Sequence, residues 1–412
     1  MNKLLFLLAL WPISLAVNAS DSTIVLNQFR DLDEAFIKAK SEDKKVMFYF
    51  HFDGCGACRK MEHTTFLDKS AYEFYNENFV TFEINSLKGI GIDIKKNYDV
   101  SVHPAFVFLD VDGEVLHKIV GVYEPSEFIN QADKALSKTK NLTSMRASYM
   151  DGNLDKDFLF EYAYALRDAS ELDSIMVNEY LNELTYEELD SKRNIAYIYE
   201  FAIHNHTPTI EIESPAFQFL LNNEEKFNAH FEEDQVKSRI VWLLYYHLNT
   251  AIEKKDRQAY EDILTLARPY ESGESYYFKE MDGKLTGILY NHFIFQSEMH
   301  WAELHESKEV YLSKVDDYIE TMWDNDFQLN NHAWMTYENK EDRDLLIKAK
   351  KCSIRSIELK NDYSYNDTLA WILFKLGDKK EALEQAKTAI LIGKKAEEDV
   401  SETVRLVELL EQ

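Results

Sequence analysis

The sequence predicts two domains of different class, an α/β sandwich over residues 20–140 and an all-α helical-repeat domain over residues 146–412. Short β-rich apolar runs alternate with amphipathic helical patterns up to about Lys140. From Asn141 apolar residues recur only at three- and four-residue spacing, and near the C-terminus a segment repeats itself 37 positions later. Composition agrees. With 45% hydrophobic and 13% aromatic residues the chain has ample material for a core, and its 12 Gly and 6 Pro in 412 residues suit long helices better than a β-sandwich.

Met1 to Ser20, MNKLLFLLALWPISLAVNAS, reads as a signal peptide. Lys3 gives a basic start, Leu4 to Val17 is an apolar stretch too short to span a bilayer, and Val17-Asn18-Ala19 offers a small-x-small cleavage pattern. Residues 1–19 are therefore expected to be removed behind Ala19, which places the mature chain in the periplasm or outside the cell. No later run of 18 apolar residues follows, so no integral span is expected in the mature chain.

Asp31 to Glu42 is an amphipathic helix, with Leu32, Ala35, Phe36 and Ala39 on one face. Val46 to Phe52, Phe79 to Ile84 and Ala105 to Asp110 are apolar runs of strand length. Asp112-Gly113 is a hairpin turn leading into Val115–Val120, and Pro125 to Leu136 is a closing helix with proline in its first turn. Beyond Asn141, helical stretches include Phe158–Leu166, Ile175–Leu184, Ile240–Ile252 and Tyr260–Ala267. In the repeat, clearest over 328–395, Ala333-Trp334 returns as Ala370-Trp371, Leu346 as Leu383 and Ala349-Lys350 as Ala386-Lys387. Gly377-Asp378 separates two helices of the second copy, which resembles a tetratricopeptide-type hairpin with a longer loop than usual.

The formal charge of −27 makes a nucleic-acid surface an unfavourable reading. Residues 21–140 carry 15 Lys/Arg and 20 Asp/Glu, net −5, whereas residues 141–412 carry 30 and 53, net −23. The acidic field belongs to the helical half and suits solubility, or the recruitment of basic partners.

Chemistry concentrates at Phe52-Asp53-Gly54-Cys55-Gly56-Ala57-Cys58-Arg59-Lys60-Met61-Glu62, which follows a buried strand and opens a helix expected to run to about Leu67. A two-residue spacing lets the sulfurs meet across the first helical turn. The orphan N–H groups and positive dipole end there favour a thiolate, with Arg59 and Lys60 adding charge. Cys55 is then the nucleophile and Cys58 the resolving thiol.

This half resembles exported thioredoxin-fold proteins, including periplasmic domains that pass electrons to other thiol proteins. The resemblance rests on strand-CGAC-helix followed by His103-Pro104-Ala105-Phe106-Val107-Phe108-Leu109-Asp110, and on Gly121. It implies a central mixed sheet flanked by helices, Pro104 as the cis-proline facing the disulfide, and thiol–disulfide oxidoreductase activity on protein clients with an unidentified recycling partner. It also exposes departures. Gly54 stands where the family commonly has Trp, and Tyr49 where many members bury an acid, so proton handling must pass through water, His51 or Glu83. His103 replaces the commoner Thr, Val or Ile and is a candidate for redox tuning through its charged form.

Other readings stay open. The cysteine pair could be structural, or His51, Cys55, Cys58 and His63 could hold a metal, although their placement fits no recognised zinc spacing; neither a metal nor a cofactor is called for. His204 and His206 read as a solvated loop pair, Cys352 as a core cysteine, Trp334 and Trp371 as packing residues, and Asn141-Leu142-Thr143 as a glycosylation sequon. The alternative to an enzyme is a helical-repeat adaptor whose N-terminal module is redox-inactive or redox-sensing, and protein binding by the helical domain fits either case.

Overall fold

A computed structural model of the chain describes residues 22–29, 32–204, 207–271, 276–279, 285–289 and 292–412. The expected signal peptide, Asp31 and the Asn205-His206 pair lie outside the described residues. Two compact units are present, one formed by the chain up to Asn194 with His204–Ala216, the other by Ile195–Ile203 and Phe217–Gln412.

In the first unit the order is β1 (Leu26–Asn27), α1 (Leu32–Glu42), β2 (Lys45–His51), α2 (Gly56–His63), α3 (Lys69–Asn78), β3 (Phe79–Asn85), α4 (Gly91–Asn97), β4 (Ala105–Leu109), β5 (Val115–Val120) and α5 (Pro125–Leu136). The sheet is mixed, in the order β1-β3-β2-β4-β5. β2 runs parallel to β3 and antiparallel to β4, and β4 forms the expected hairpin with β5. The alternation of side chains along β2 builds two layers. Val46, Phe48 and Phe50 pack with Ala35, Ala39 and Ile94, while Met47 and Tyr49 share the other layer with Cys55, Cys58, Phe66 and Phe128. α4 starts so close to the end of β3 that a Cβ on Gly91 would stand 2.1 Å from the Asn85 carbonyl oxygen, leaving room for glycine alone.

α2 is shorter than expected. It stops at His63 and a 3₁₀ turn over Thr65–Leu67 completes the segment, because the Thr65 hydroxyl turns inward to the Tyr123 carbonyl at 2.6 Å and Phe66 is buried. Four more helices follow within this unit, α6 (Leu142–Met150), α7 (Lys156–Asp168), α8 (Ser174–Asn182) and α9 (Tyr186–Leu189). Asn141, Asp155, Asp173 and Thr185 cap them with side-chain oxygens. Asn141 is buried, capping α6 through Ser144 N–H and donating to the Ser137 carbonyl, so the sequon's amide is engaged inside the fold.

The second unit is helical apart from short strands such as the antiparallel pair Tyr276–Lys279 and Leu285–Leu289. Its C-terminal end holds helices Asp326–Asn339, Arg343–Leu359, Tyr363–Leu376 and Lys379–Lys395, the first and third starting 37 residues apart. Ala333, Ala349, Ala370 and Ala386 are all fully buried at matched positions, where a methyl group lets helices approach closely. The turns within and between the hairpins are short, and the length expected in a loop is taken by second helices of 17 residues. Cys352 is fully buried there, and burial pushes its thiol up to about 12. Among the described residues no helix is long and apolar enough to cross a membrane.

Candidate active site at the start of helix α2

The turn between β2 and α2 places both sulfurs. Gly54 adopts φ +89°, a conformation that side chains resist, and this swings the chain from the strand into the helix. Cys55 follows as the helix N-cap. Its Sγ accepts the Cys58 N–H at 3.1 Å and is bonded to Cys58 Sγ in a disulfide. The first helical turn therefore directs a backbone donor at the sulfur that would carry negative charge after reduction. Exposure is small, 5% for Cys55 and 2% for Cys58, so a partner reaches an edge of the pair rather than an open sulfur. Arg59 and Lys60 are exposed.

The segment before β4 approaches from the other side of the sequence. The His103–Pro104 peptide is cis, Pro104 is buried, and its carbonyl accepts the Gly121 N–H at 2.8 Å. His103 packs edge-on against Phe52, two residues before Gly54, with ring centroids 5.3 Å apart. Its Nε2 lies 2.8 Å from the hydroxyl of the buried Ser86, whose N–H is held by the His51 carbonyl. Burial, followed by the fields of Lys95 and His51, lowers the His103 pKa. The imidazole is neutral near pH 7, so the charged form invoked from sequence is disfavoured here.

Sequence reasoning missed a polar pair in the cysteine layer. Tyr49, fully buried, donates its hydroxyl to Glu62 Oε1 at 2.7 Å. Burial first, then the Glu62 bond and charge, push the phenol far above its ordinary range, so it stays protonated. A carboxylate therefore reaches the buried phenol from α2, on a residue one helical turn after Cys58. The i, i+4 spacing from Cys58 to Glu62 was the available signal. His51 and Glu83, the earlier candidates, stand 4.0 Å apart and are partly exposed, with the His51 ring stacked on Tyr49. At the rim, Asp53 accepts from Asn85 Nδ2 at 2.8 Å and pairs with Lys88.

Among the described residues no group of three or more His, Cys, Asp or Glu is gathered as metal ligands, and the set His51, Cys55, Cys58 and His63 is not brought together. Cys352 lies in the second unit.

Residues 32–136 match the family model of a thioredoxin-like domain. The chain is 28% identical over 149 residues to thioredoxin-T of Drosophila melanogaster, covering 36% of this chain and 90% of that protein. It is 30% identical over 98 residues to an H-type thioredoxin of Fagopyrum esculentum, covering 24% of this chain and 78% of that protein. A solution structure of a thioredoxin from Thermus thermophilus aligns at 23% identity with a TM-score of 0.25, over 27% of this chain and 88% of its own.

Proposed function

The chain belongs to the thioredoxin-like family, and from that premise we propose that it is an exported thiol–disulfide oxidoreductase that exchanges disulfides with protein clients. The observation that carries the reading is the Cys55–Cys58 disulfide across the N-cap of α2, with a backbone N–H aimed at the Cys55 sulfur. In the reduced protein the Cys55 thiolate attacks one sulfur of a client disulfide. A mixed disulfide forms and one client thiolate leaves. Cys58, deprotonated, then attacks Cys55 Sγ, the second client thiolate leaves, and the protein is oxidised by the two electrons the client has gained. Run backwards, the same steps oxidise a dithiol client.

Each site residue has a place in this sequence. Cys55 is the nucleophile and Cys58 the resolving thiol. Glu62, held by Tyr49, is the carboxylate that takes the Cys58 proton. Pro104 shapes the edge where a client backbone lies, and His103, held by its Ser86 contact and neutral near pH 7, tunes the potential only where acid protonates the ring. Residues 1–19 act as a cleaved signal peptide, residues 20–140 carry the chemistry, and the tetratricopeptide-like region within 146–412 recruits a protein partner. Because export separates the protein from cytosolic reductants, a second thiol protein recharges it.

Turnover of a small-molecule disulfide by the reduced protein, compared with Cys55→Ser, tests the chemistry. The variant is expected to lose turnover, and parent activity equal to the variant's would leave the N-terminal half a binding module. Cys58→Ser then stalls the mixed disulfide and identifies the client by what stays attached.

A further inference from the structure

The 37-residue repeat carries more than packing. Its first helices, Asp326–Asn339 and Tyr363–Leu376, place Trp334 and Trp371 at equivalent positions, and Tyr337 and Phe374 one turn later at equivalent positions. In the structure these four rings join into one strip. Centroids are 5.2 Å apart from Trp334 to Tyr337, 5.9 Å from Tyr337 to Trp371 and 6.2 Å from Trp371 to Phe374. Each ring is half-buried, so the strip runs along the surface across both repeats. A depression of about 210 Å³ opens between Tyr337, Glu338, Phe374 and Lys375.

The charges beside the strip are unbalanced. Glu338 and Glu341 are exposed, and Trp371 donates to Asp367. The Lys375 ammonium is already committed to the Tyr337 carbonyl at 2.6 Å and to Glu341 at 2.8 Å, and Arg343 to the Leu376 carbonyl at 3.1 Å. That ammonium also sits 5.3 Å from the Tyr337 ring centroid, so the chain itself puts a cation against this aromatic surface. Exposed carboxylates at Glu338 and Glu341, in a half of the protein with net charge −23, attract cations and repel acidic chains.

We infer that this strip docks an extended segment of a partner protein in which Lys or Arg alternates with apolar residues. The rings take the apolar side chains and the faces of the cations, Glu338 takes the charge, and Glu341, paired with Lys375, adds its field. This deepens the recruitment assigned above to the helical region, and rests on it.

The test uses the full mature chain and three synthetic decapeptides built on Gly-Leu-Lys, Gly-Leu-Glu and Gly-Leu-Ser, read by tryptophan fluorescence. The Lys peptide is expected to saturate the signal, and the Glu peptide to give none. A Tyr337→Leu/Phe374→Leu double variant keeps bulk and charge, and is expected to weaken the Lys peptide about tenfold. Glu338→Gln/Glu341→Gln is expected to weaken it about threefold and flatten its salt dependence, and decides the matter should the double variant fail to fold by circular dichroism. Lys-peptide affinity equal in parent and folded variants would mean a general charge field only and would overturn the inference. Equal binding of the Ser or Glu peptide would overturn it too, as would no binding by any of the three. Disulfide turnover measured on the same samples reports the redox reading separately, since its loss in the parent would leave the binding result standing.

Discussion

Burial keeps a proton on Tyr49 throughout the neutral range, so the phenol can orient a base but cannot be one. The carboxylate it holds, Glu62, is the group proposed above to take the Cys58 proton. Replacing Glu62 by Gln preserves an acceptor for the Tyr49 hydroxyl and removes only the negative charge. The resolving step should slow by about tenfold or more, with its pH dependence moved upward. Single-turnover release from the mixed disulfide measures it, with thermal stability unchanged; a pH profile identical to the parent's would make Glu62 a packing residue. His103 calls for the opposite expectation from the one drawn from sequence. Its pKa is lowered, so near pH 7 it is neutral in the parent and His103→Val should move the reduction potential by less than about 30 mV. Only below its ordinary value, as the ring gains its proton, should imidazolium stabilise the Cys55 thiolate and make the parent more oxidising than the variant. Glutathione titrations at pH 7 and pH 5 separate the two regimes, and a large shift already at pH 7 would restore the charged reading.

At the scale of elements, strand β5 carries a buried polar seam that binds the sheet to the helices following it. His117 Nδ1 accepts the Leu142 N–H at the first turn of α6, its Nε2 faces the Gln131 oxygen, and Gln131 donates in turn to Asp168 on α7. Burial lowers the His117 pKa to about 4, against the field of Asp168 and with that of Lys134. Because the folded pKa is depressed below the unfolded one, unfolded chains bind more protons as pH falls. The seam's contribution is therefore complete above about pH 6.5 and lost towards pH 4, up to about 3 kcal/mol. Urea unfolding of His117→Gln should show a smaller fall in stability than the parent across that window, and parallel curves would place the acid sensitivity elsewhere. The same seam explains what was legible in the sequence. Strands β2 to β5 and α5 were readable because alternation, the Asp112-Gly113 turn and Pro125 are local signals, and the cysteine turn because CxxC follows a buried strand. Tyr49 with Glu62, and His117 with Leu142, pair residues 13 and 25 apart on different elements, and no periodicity encodes such contacts. The early end of α2 was hidden for the same reason, since a hydroxyl bond from Thr65 to Tyr123 spans 58 positions.

For the whole molecule, the question is how much chain the redox fold needs. A boundary near residue 140 follows from where strand patterns cease, yet the compact unit continues through α6 to α9. Lys118, almost fully buried on β5, is held by the Asp99 carbonyl at 2.7 Å and by Glu171 at 3.2 Å, and Glu171 also pairs with Arg146 on α6. Thr143 donates its hydroxyl to the Val115 carbonyl at 2.7 Å. Cutting behind Lys140 would strip the carboxylate from a buried ammonium left with the Asp99 carbonyl, the N–H donor from His117 and the acceptor from Gln131 at once, and each such loss costs about 1–3 kcal/mol. A fragment of residues 20–190 should therefore unfold at a clearly higher urea concentration than one of residues 20–140, by at least about 2 kcal/mol at pH 7. The effect should be structural and not chemical, because these groups tie β5 to α6 and α7, and His117 meets the disulfide layer through the Phe108 ring, 6.1 Å away, and not through a sulfur. Both fragments, where folded, should cycle a small-molecule disulfide at similar rates. Coincident urea midpoints would show that the helices merely rest on the sheet, whereas slower turnover in the shorter fragment would tie α6 and α7 to the reaction itself.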